Sequence, residues 1–169
     1  MSGLEFSLSP VTSRDQFDKL RALVRNLIGL FPEDRKLLVD ALYGLERNRQ
    51  SLIGVGGFDG DICTFFVISL DDQPSLQVIY VPPELRNQRL GSNLFVFMAM
   101  MMKMEKIPNV RIRTTPACVR FFERFGAEVV PVASPAPHEW TLMDFDPDNL
   151  KRPENWFEGQ INNNQESVS

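Results

Sequence analysis

The most informative segment of the chain, called here the deciding segment, reads Val81-Pro82-Pro83-Glu84-Leu85-Arg86-Asn87-Gln88-Arg89-Leu90-Gly91-Ser92-Asn93-Leu94. It follows a β-rich run at residues 75–81 and opens a predicted long apolar helix at residues 90–106. Free N–H groups and the positive end of the dipole make a helix start an anion site. Gly91 lets the backbone approach a ligand, and Arg86 and Arg89 add positive charge. This suits a pyrophosphate; the alternative is an ordinary loop with two solvated arginines.

The first quarter of the chain is predicted to form a strand and two helices. Residues 5–11 read as the strand. Ser13 and Gln16 match a capping box, which marks the start of the first helix. Apolar residues then recur at helical spacing as far as Pro32, which ends that helix and is well placed to open a second one reaching about Arg47.

Three consecutive antiparallel strands are predicted ahead of the deciding segment. Residues 51–57 and 62–70 flank Asp59-Gly60, a dipeptide typical of tight hairpin turns. Residues 75–81 form the third strand. The glycines around this hairpin do not match a dinucleotide-binding fingerprint, because Asp59 stands where the third glycine would be and no helix follows.

A strand, a short helix and two further strands are predicted after the long helix. Residues 110–114 alternate in polarity, and residues 116–125 form a short helix that Gly126 can end. Residues 127–132 and 139–145 read as the last two strands.

The chain is predicted to contain one domain, at residues 1–145, and a polar, partly mobile tail at residues 146–169. Trp156-Phe157 is an apolar island within that tail. It could dock on the domain or on a second subunit, which would make the protein a homodimer.

Composition excludes several classes of protein. The 169 residues carry 18 Lys and Arg against 22 Asp and Glu, a net charge of −4, so a nucleic-acid partner is not expected. Two cysteines and one histidine are too few for a disulfide framework or an all-protein zinc site, and we expect no metal. No stretch reads as a membrane span or a signal peptide, so a cytoplasmic protein is expected.

The deciding segment resembles the acetyl-CoA-binding motif of the GNAT superfamily of N-acetyltransferases, roughly V-x-P-x-[Y]-R-x-x-G-x-G-[SA]-x-L. The matching residues are Val81, Pro83, Arg86, Gly91, Ser92 and Leu94. The chain departs from the motif at Arg89, where the family usually has glycine, and at Leu85, where an aromatic residue is common. Residues 117–127 resemble the family's A-x-x-F-Y-E-K-x-G-F segment, and the predicted element order is also that of the family.

The resemblance implies an α+β fold with a central, mostly antiparallel sheet of six to seven strands flanked by helices. It implies that the strand before the motif splays from the next one and that acetyl-CoA, the co-substrate, lies in the gap. An amine acceptor would attack the thioester directly, without an acyl-enzyme. The implied cofactor-binding residues are Ile79, Val81, Arg86, Asn87, Gln88, Arg89, Leu90, Gly91 and Ser92.

The departures from the family leave the catalytic residues unassigned. Phe122 takes the place of the family's usual acid, a tyrosine, and a phenyl ring cannot donate a proton. Thr114 stands where an asparagine is often found, and residues 75–81 carry no carboxylate base. Two functions therefore stay open. One is acetyl transfer from acetyl-CoA to an amine, and the other is a degenerate domain that senses CoA, has a structural role or binds a protein.

Five other side chains are expected to be packed or exposed to solvent. Tyr80 is expected to be a packed aromatic residue, Cys118 a small core residue and His138 a surface residue. Arg111 and Arg113 share one strand face. They are expected to form a solvated strand edge, with an acidic substrate or a CoA phosphate as the alternative.

Overall fold

One mixed sheet of seven strands organises the domain. The computed structural model describes residues 6–47, 50–86, 89–131 and 140–151. The strands are β1 (Phe6–Pro10), β2 (Ser51–Phe58), β3 (Asp61–Ser69), β4 (Ser75–Tyr80), β5 (Val110–Thr114), β6 (Glu128–Val129) and β7 (Thr141–Phe145). Their order is β1-β2-β3-β4-β5-β7-β6. Neighbouring strands are antiparallel except β4 and β5, which are parallel, so the predicted sheet is confirmed.

Four α-helices cover the sheet within the described residues: α1 (Arg14–Leu30), α2 (Arg35–Arg47), α3 (Leu90–Met104) and α4 (Val119–Arg124). The predicted capping box begins α1: the Gln16 amide donates to Ser13 Oγ at 3.2 Å, and the Ser13 amide donates to Gln16 Oε1 at 3.1 Å. A 3-10 turn at Pro32–Asp34 separates α1 from α2. None of the described helices is long and apolar enough to cross a membrane.

The sheet separates two hydrophobic cores. Helices α1 and α2 cover one face, called here the α1/α2 face, whose core includes Leu20, Val24, Leu38, Val55, Phe65, Val78 and Tyr80. Helices α3 and α4 cover the opposite α3/α4 face, whose core includes Phe66, Leu94, Phe95, Met98, Ile112, Phe122, Phe125, Met143 and Phe145. The sheet and α4 both cover α3, and this explains why the helix is apolar on most of its sides, as predicted.

The hairpin between β2 and β3 forms where the sequence predicts it. Asp59 and Gly60 have φ angles of 52° and 86°, the two left-handed positions of a type I′ turn, and Phe58 pairs with Asp61 across it. The prediction at residues 127–132 is too long, since β6 contains two residues. The Val130 amide still donates to the Leu142 carbonyl at 2.8 Å, and Val132 lies outside the described residues.

The chain continues to pack against the domain for a short distance after β7. Pro147 is buried, and the Lys151 amide donates to the Phe125 carbonyl at 2.9 Å. The predicted domain boundary at residue 145 stays a prediction. Residues 152–169, with Trp156-Phe157, lie outside the described residues.

Gly126, which follows α4, packs against this C-terminal segment. Its φ is 104°, and a Cβ built there would overlap the Asn149 carbonyl oxygen. We expect Gly126→Ala to lower the free energy of unfolding by about 2 kcal/mol or more, because left-handed strain and a backbone displacement add. Gly60→Ala is the matched control. Gly60 is also left-handed but has nothing within 4 Å of a built Cβ, so the strain alone should cost about 1 kcal/mol. Equal losses in urea unfolding would contradict the packing of residues 147–151.

Candidate active site

The sheet opens between β4 and β5. These strands pair at two positions, Ser75 with Arg111 and Leu76 with Ile112, whereas β4 remains paired with β3 as far as Tyr80. Within the described residues, the β5 side of residues 77–80 therefore faces no strand. The backbone N–H and C=O groups of such an edge can pair with an extended ligand.

A β-bulge lies where the two strands part. In the pairing of β3 with β4, Val67 faces Val78 while Ile68 faces Leu76, so Gln77 is an extra residue in β4. A bulge bends its strand and increases the local twist. The bulge thus gives a physical reason for the divergence of β4 from β5 directly after Leu76.

Helix α3 begins beside the end of β4. Arg89 precedes it with a φ of 64°, a left-handed conformation that costs a non-glycine residue about 1–2 kcal/mol. This is the position at which the resembled motif has glycine, a residue that adopts a left-handed conformation without steric cost. The first amides of α3, including those of Gly91 and Ser92, have no acceptor within the helix. Free amides of this kind are what the predicted anion site requires, and that site stays a prediction.

Gly91 lies between the end of β4 and helix α4. A Cβ built on Gly91 would be 3.6 Å from Val81 Cγ2 and 3.8 Å from the Phe121 ring. These are ordinary contact distances, so a small side chain could be accommodated there and would occupy the space between the two neighbours. The structure therefore brings together two predicted cofactor residues, Val81 and Gly91, and adds Phe121, which the sequence does not single out.

Arg86 connects the segment after β4 to the turn between α1 and α2. Its Nη2 donates to Asp34 Oδ2 at 2.8 Å, and its Nε donates to the Val81 carbonyl at 2.8 Å. The guanidinium thereby fixes the segment after β4 to the turn between α1 and α2. Its role toward a phosphate stays a prediction, and the predicted cofactor residues Asn87 and Gln88 lie outside the described residues.

Tyr80 contacts the same carboxylate as Arg86, that of Asp34, on the α1/α2 face. Its side chain is fully buried, as predicted, and its hydroxyl donates to Asp34 Oδ2 at 2.8 Å. Burial, followed by the Asp34 carboxylate, raises the pKa of Tyr80 well above the ordinary tyrosine value. The hydroxyl is therefore protonated at neutral pH and is engaged with Asp34, so it is not a free base.

We expect Tyr80→Phe to lower the free energy of unfolding by about 1–2 kcal/mol at neutral pH, because a hydrogen bond to a carboxylate is lost. The folded-state pKa is raised, so the contribution is complete below the unfolded tyrosine pKa of about 10 and declines as pH rises above it. The stability difference between the two proteins, measured by urea unfolding, should shrink above about pH 10. A difference that grows there would contradict the Tyr80–Asp34 hydrogen bond.

Solved structures of acetyltransferases share this architecture. The chain has a TM-score of 0.61 and 12% identity to the ribosomal-protein-S18-alanine N-acetyltransferase from Escherichia coli, over 89% of this chain and 98% of that one. It has a TM-score of 0.59 and 15% identity to an acetyltransferase of the GNAT family from Staphylococcus aureus, over 83% and 99%. The chain has the GNAT fold.

A third similar structure was solved in complex with coenzyme A. It is the PaiA N-acetyltransferase from Thermoplasma acidophilum, with a TM-score of 0.57 and 15% identity over 83% of this chain and 99% of that one. No family model and no curated protein sequence matches the chain. At these identities the similarity establishes the GNAT fold.

The GNAT fold places Phe122 within a cluster of aromatic rings. Phe122 is buried, with its ring centroid 5.8 Å from that of Phe95 and 5.1 Å from that of Phe121. Thr114, at the end of β5, is also buried. Neither side chain supplies the general acid that the resemblance to the GNAT superfamily implies.

The two cysteines have different surroundings. Burial, with a smaller contribution from Glu84, raises the pKa of the Cys63 thiol, which disfavours the thiolate. Cys118 is exposed, so its prediction as a core residue is wrong; it ends a 3-10 turn on the surface. No group of three or more His, Cys, Asp or Glu side chains that could hold a metal ion occurs among the described residues.

The two strand arginines have different surroundings in this fold. Arg111 Nε donates to Asp144 Oδ1 at 2.9 Å, whereas the Arg113 guanidinium lies over the Trp140 ring at 4.5 Å. Lys36 Nζ approaches the same ring at 5.6 Å. Sequence reasoning missed Asp34, Lys36 and Trp140, because each acquires its role from residues distant in the chain.

Proposed function

We propose that this chain is an acyl-CoA N-acyltransferase that moves an acetyl group from acetyl-CoA to an amine. The observation that carries the proposal is the early separation of β4 from β5 next to the first turn of α3. An unpaired strand edge and a helix start at one place offer backbone partners for an extended amide chain and for an anion. Pantetheine and pyrophosphate are groups of these two kinds.

The residues present fit such a ligand. The backbone near Ile79 and Val81 would pair with pantetheine, and the amides from Asn87 to Ser92 would hold the pyrophosphate. Ile79 and Val81 are half-buried, so part of each side chain stays accessible. The absence of a side chain at Gly91 leaves room between Val81 and Phe121.

The chemistry supported by this arrangement is direct attack of an amine on the thioester carbonyl. The neutral amine nitrogen forms a bond to the carbonyl carbon and the carbon–sulfur bond breaks. The nitrogen gives up one proton to water, and the leaving thiolate takes a proton from water. The protein would contribute orientation of the reactants and backbone donors. Since Tyr80 is engaged with Asp34 and Phe122 has no hydroxyl, general acid catalysis by either one plays no part in this proposal.

A second candidate function is a CoA-binding domain without catalysis. It is favoured by Phe122, which stands at the acid position and is packed among Phe95, Phe121 and Phe125. A domain of this kind would bind acetyl-CoA at the same opening and would release no thiol.

Thermal unfolding with and without acetyl-CoA tests the proposal. At 100 times Kd the ligand should stabilise the protein by about 2.7 kcal/mol, or about 5–11 °C in Tm for a chain of this size. Release of free CoA thiol with a panel of amines then separates the two candidates. No Tm change at millimolar acetyl-CoA would contradict both, and a Tm change with no thiol release from any amine would favour the binding domain.

A further inference from the structure

Two cations share one exposed aromatic ring on the α1/α2 face. The Arg113 guanidinium carbon lies 4.5 Å from the Trp140 ring centroid, and Lys36 Nζ lies 5.6 Å from it. The two charges are therefore no more than about 10 Å apart. Trp140 is 42% exposed, so the cluster is open to solvent. Lys36, Arg113 and Trp140 are called here the cationic cluster.

The cationic cluster borders the opening in the sheet. Arg113 belongs to the part of β5 beyond its two pairs with β4. Because side chains alternate along a strand and Ile112 packs in the α3/α4 core, Arg113 projects to the α1/α2 face. A Cβ built on Gly91 would lie 3.8 Å from the ring of Phe121 in α4, which covers the opposite face of the sheet. The cluster thus lies across the sheet from the proposed pyrophosphate site.

Among the described residues, the cationic cluster has no acidic partner in an ion pair. Two carboxylates of the neighbouring segments are engaged elsewhere: Asp34, two residues before Lys36, accepts from Arg86 and Tyr80, and Asp144 of β7 accepts from Arg111. Like charges this close repel each other, and an anion placed between them gains attraction from both.

We propose that Lys36 and Arg113 bind a carboxylate of the acceptor, so that the substrate is an amine that also carries an acidic group. Trp140 holds the two cations by cation–π contacts and gives the acceptor an apolar surface. A guanidinium can bind a carboxylate with two parallel hydrogen bonds, and the lysine adds a point charge. This inference rests on the proposed acyltransferase function, because it places the acceptor on the face opposite the pyrophosphate.

Succinate, a plain dicarboxylate, is the probe, and neutral succinamide is its control. The readout is the indole N–H resonance of Trp140, assigned with Trp140→Phe and followed at constant ionic strength. We expect a saturable shift with succinate and none with succinamide. The double variant Lys36→Gln/Arg113→Gln should bind succinate at least tenfold more weakly. Arg47→Gln is the matched control, because Arg47 also lies over an aromatic ring, that of Tyr43 at 5.0 Å, and its loss should change nothing.

Competition with acetyl-CoA shows whether the cationic cluster binds a carboxylate of the acceptor or a phosphate of CoA. We expect saturating acetyl-CoA to leave succinate affinity unchanged and the double variant to keep the full acetyl-CoA-induced Tm shift. Competition between the two ligands, or loss of that Tm shift in the double variant, would assign the cluster to a CoA phosphate and overturn the proposal. A missing or non-saturable succinate response would overturn it as well, even with acetyl-CoA binding intact. Succinate binding in a protein that shows no acetyl-CoA shift would instead contradict the proposed function, and with it the acceptor assignment.

Discussion

Gly91→Val will abolish the acetyl-CoA-induced rise in Tm while leaving the protein folded. The added Cβ lies at ordinary contact distance from Val81 and Phe121, so it fits without a backbone displacement. Its methyl groups would occupy the space beside the first amides of α3, where the proposed pyrophosphate lies. A rise of about 5–11 °C in the unsubstituted protein at 100 times Kd should fall to near zero in the variant.

Gly29→Val is the matched control. Gly29 lies in α1 and has nothing within 4 Å of a built Cβ, so the same substitution there should leave the acetyl-CoA shift unchanged. Circular dichroism and the Tm without ligand report whether each variant is folded. If Gly91→Val keeps its affinity for acetyl-CoA, the site does not lie at the start of α3.

Phe95→Ala will produce the largest loss of stability, about 3–5 kcal/mol, since it removes a fully buried ring. Phe95 connects three elements on the α3/α4 face. Its ring centroid lies 4.8 Å from that of Phe145 in β7 and 5.8 Å from that of Phe122 in α4. It also lies 5.0 Å from the ring centroid of Phe125, which directly follows α4. Surrounding rings cannot close such a cavity fully, so the cost exceeds simple transfer of a phenyl group to water.

Phe97→Ala is the control for this core prediction. Phe97 is on the same helix but is only half-buried, and its ring centroid lies 6.3 Å from that of Phe66. Its loss should therefore cost clearly less in chemical denaturation. Equal costs for the two substitutions would contradict the described packing of α3 against α4 and β7.

Local patterns were enough to predict most of the fold. The capping box at Ser13, the Asp59-Gly60 turn and the alternation at residues 110–114 each depend on neighbours a few positions away, and each appears in the structure as expected. The least accurate prediction concerns β6, an edge element whose length depends on pairing with β7 more than on its own residues.

The site was predicted less completely because much of it depends on distant contacts. The hydroxyl of Tyr80 reaches Asp34, 46 positions away in the chain, and no periodicity signals that pairing. The bulge at Gln77 is likewise a property of the β3–β4 register. By contrast, the helix start at Gly91 was visible, since a strand, a glycine-bearing loop and an apolar helix follow one another directly.

Amide chemical shifts during titration with acetyl-CoA test the central claim most directly, namely that the ligand lies between β4 and β5 and at the start of α3. We expect the largest saturable changes at the amides of Ile79, Val81, Gly91 and Ser92. Saturable changes confined to other parts of the chain, or no change at millimolar acetyl-CoA, would contradict it.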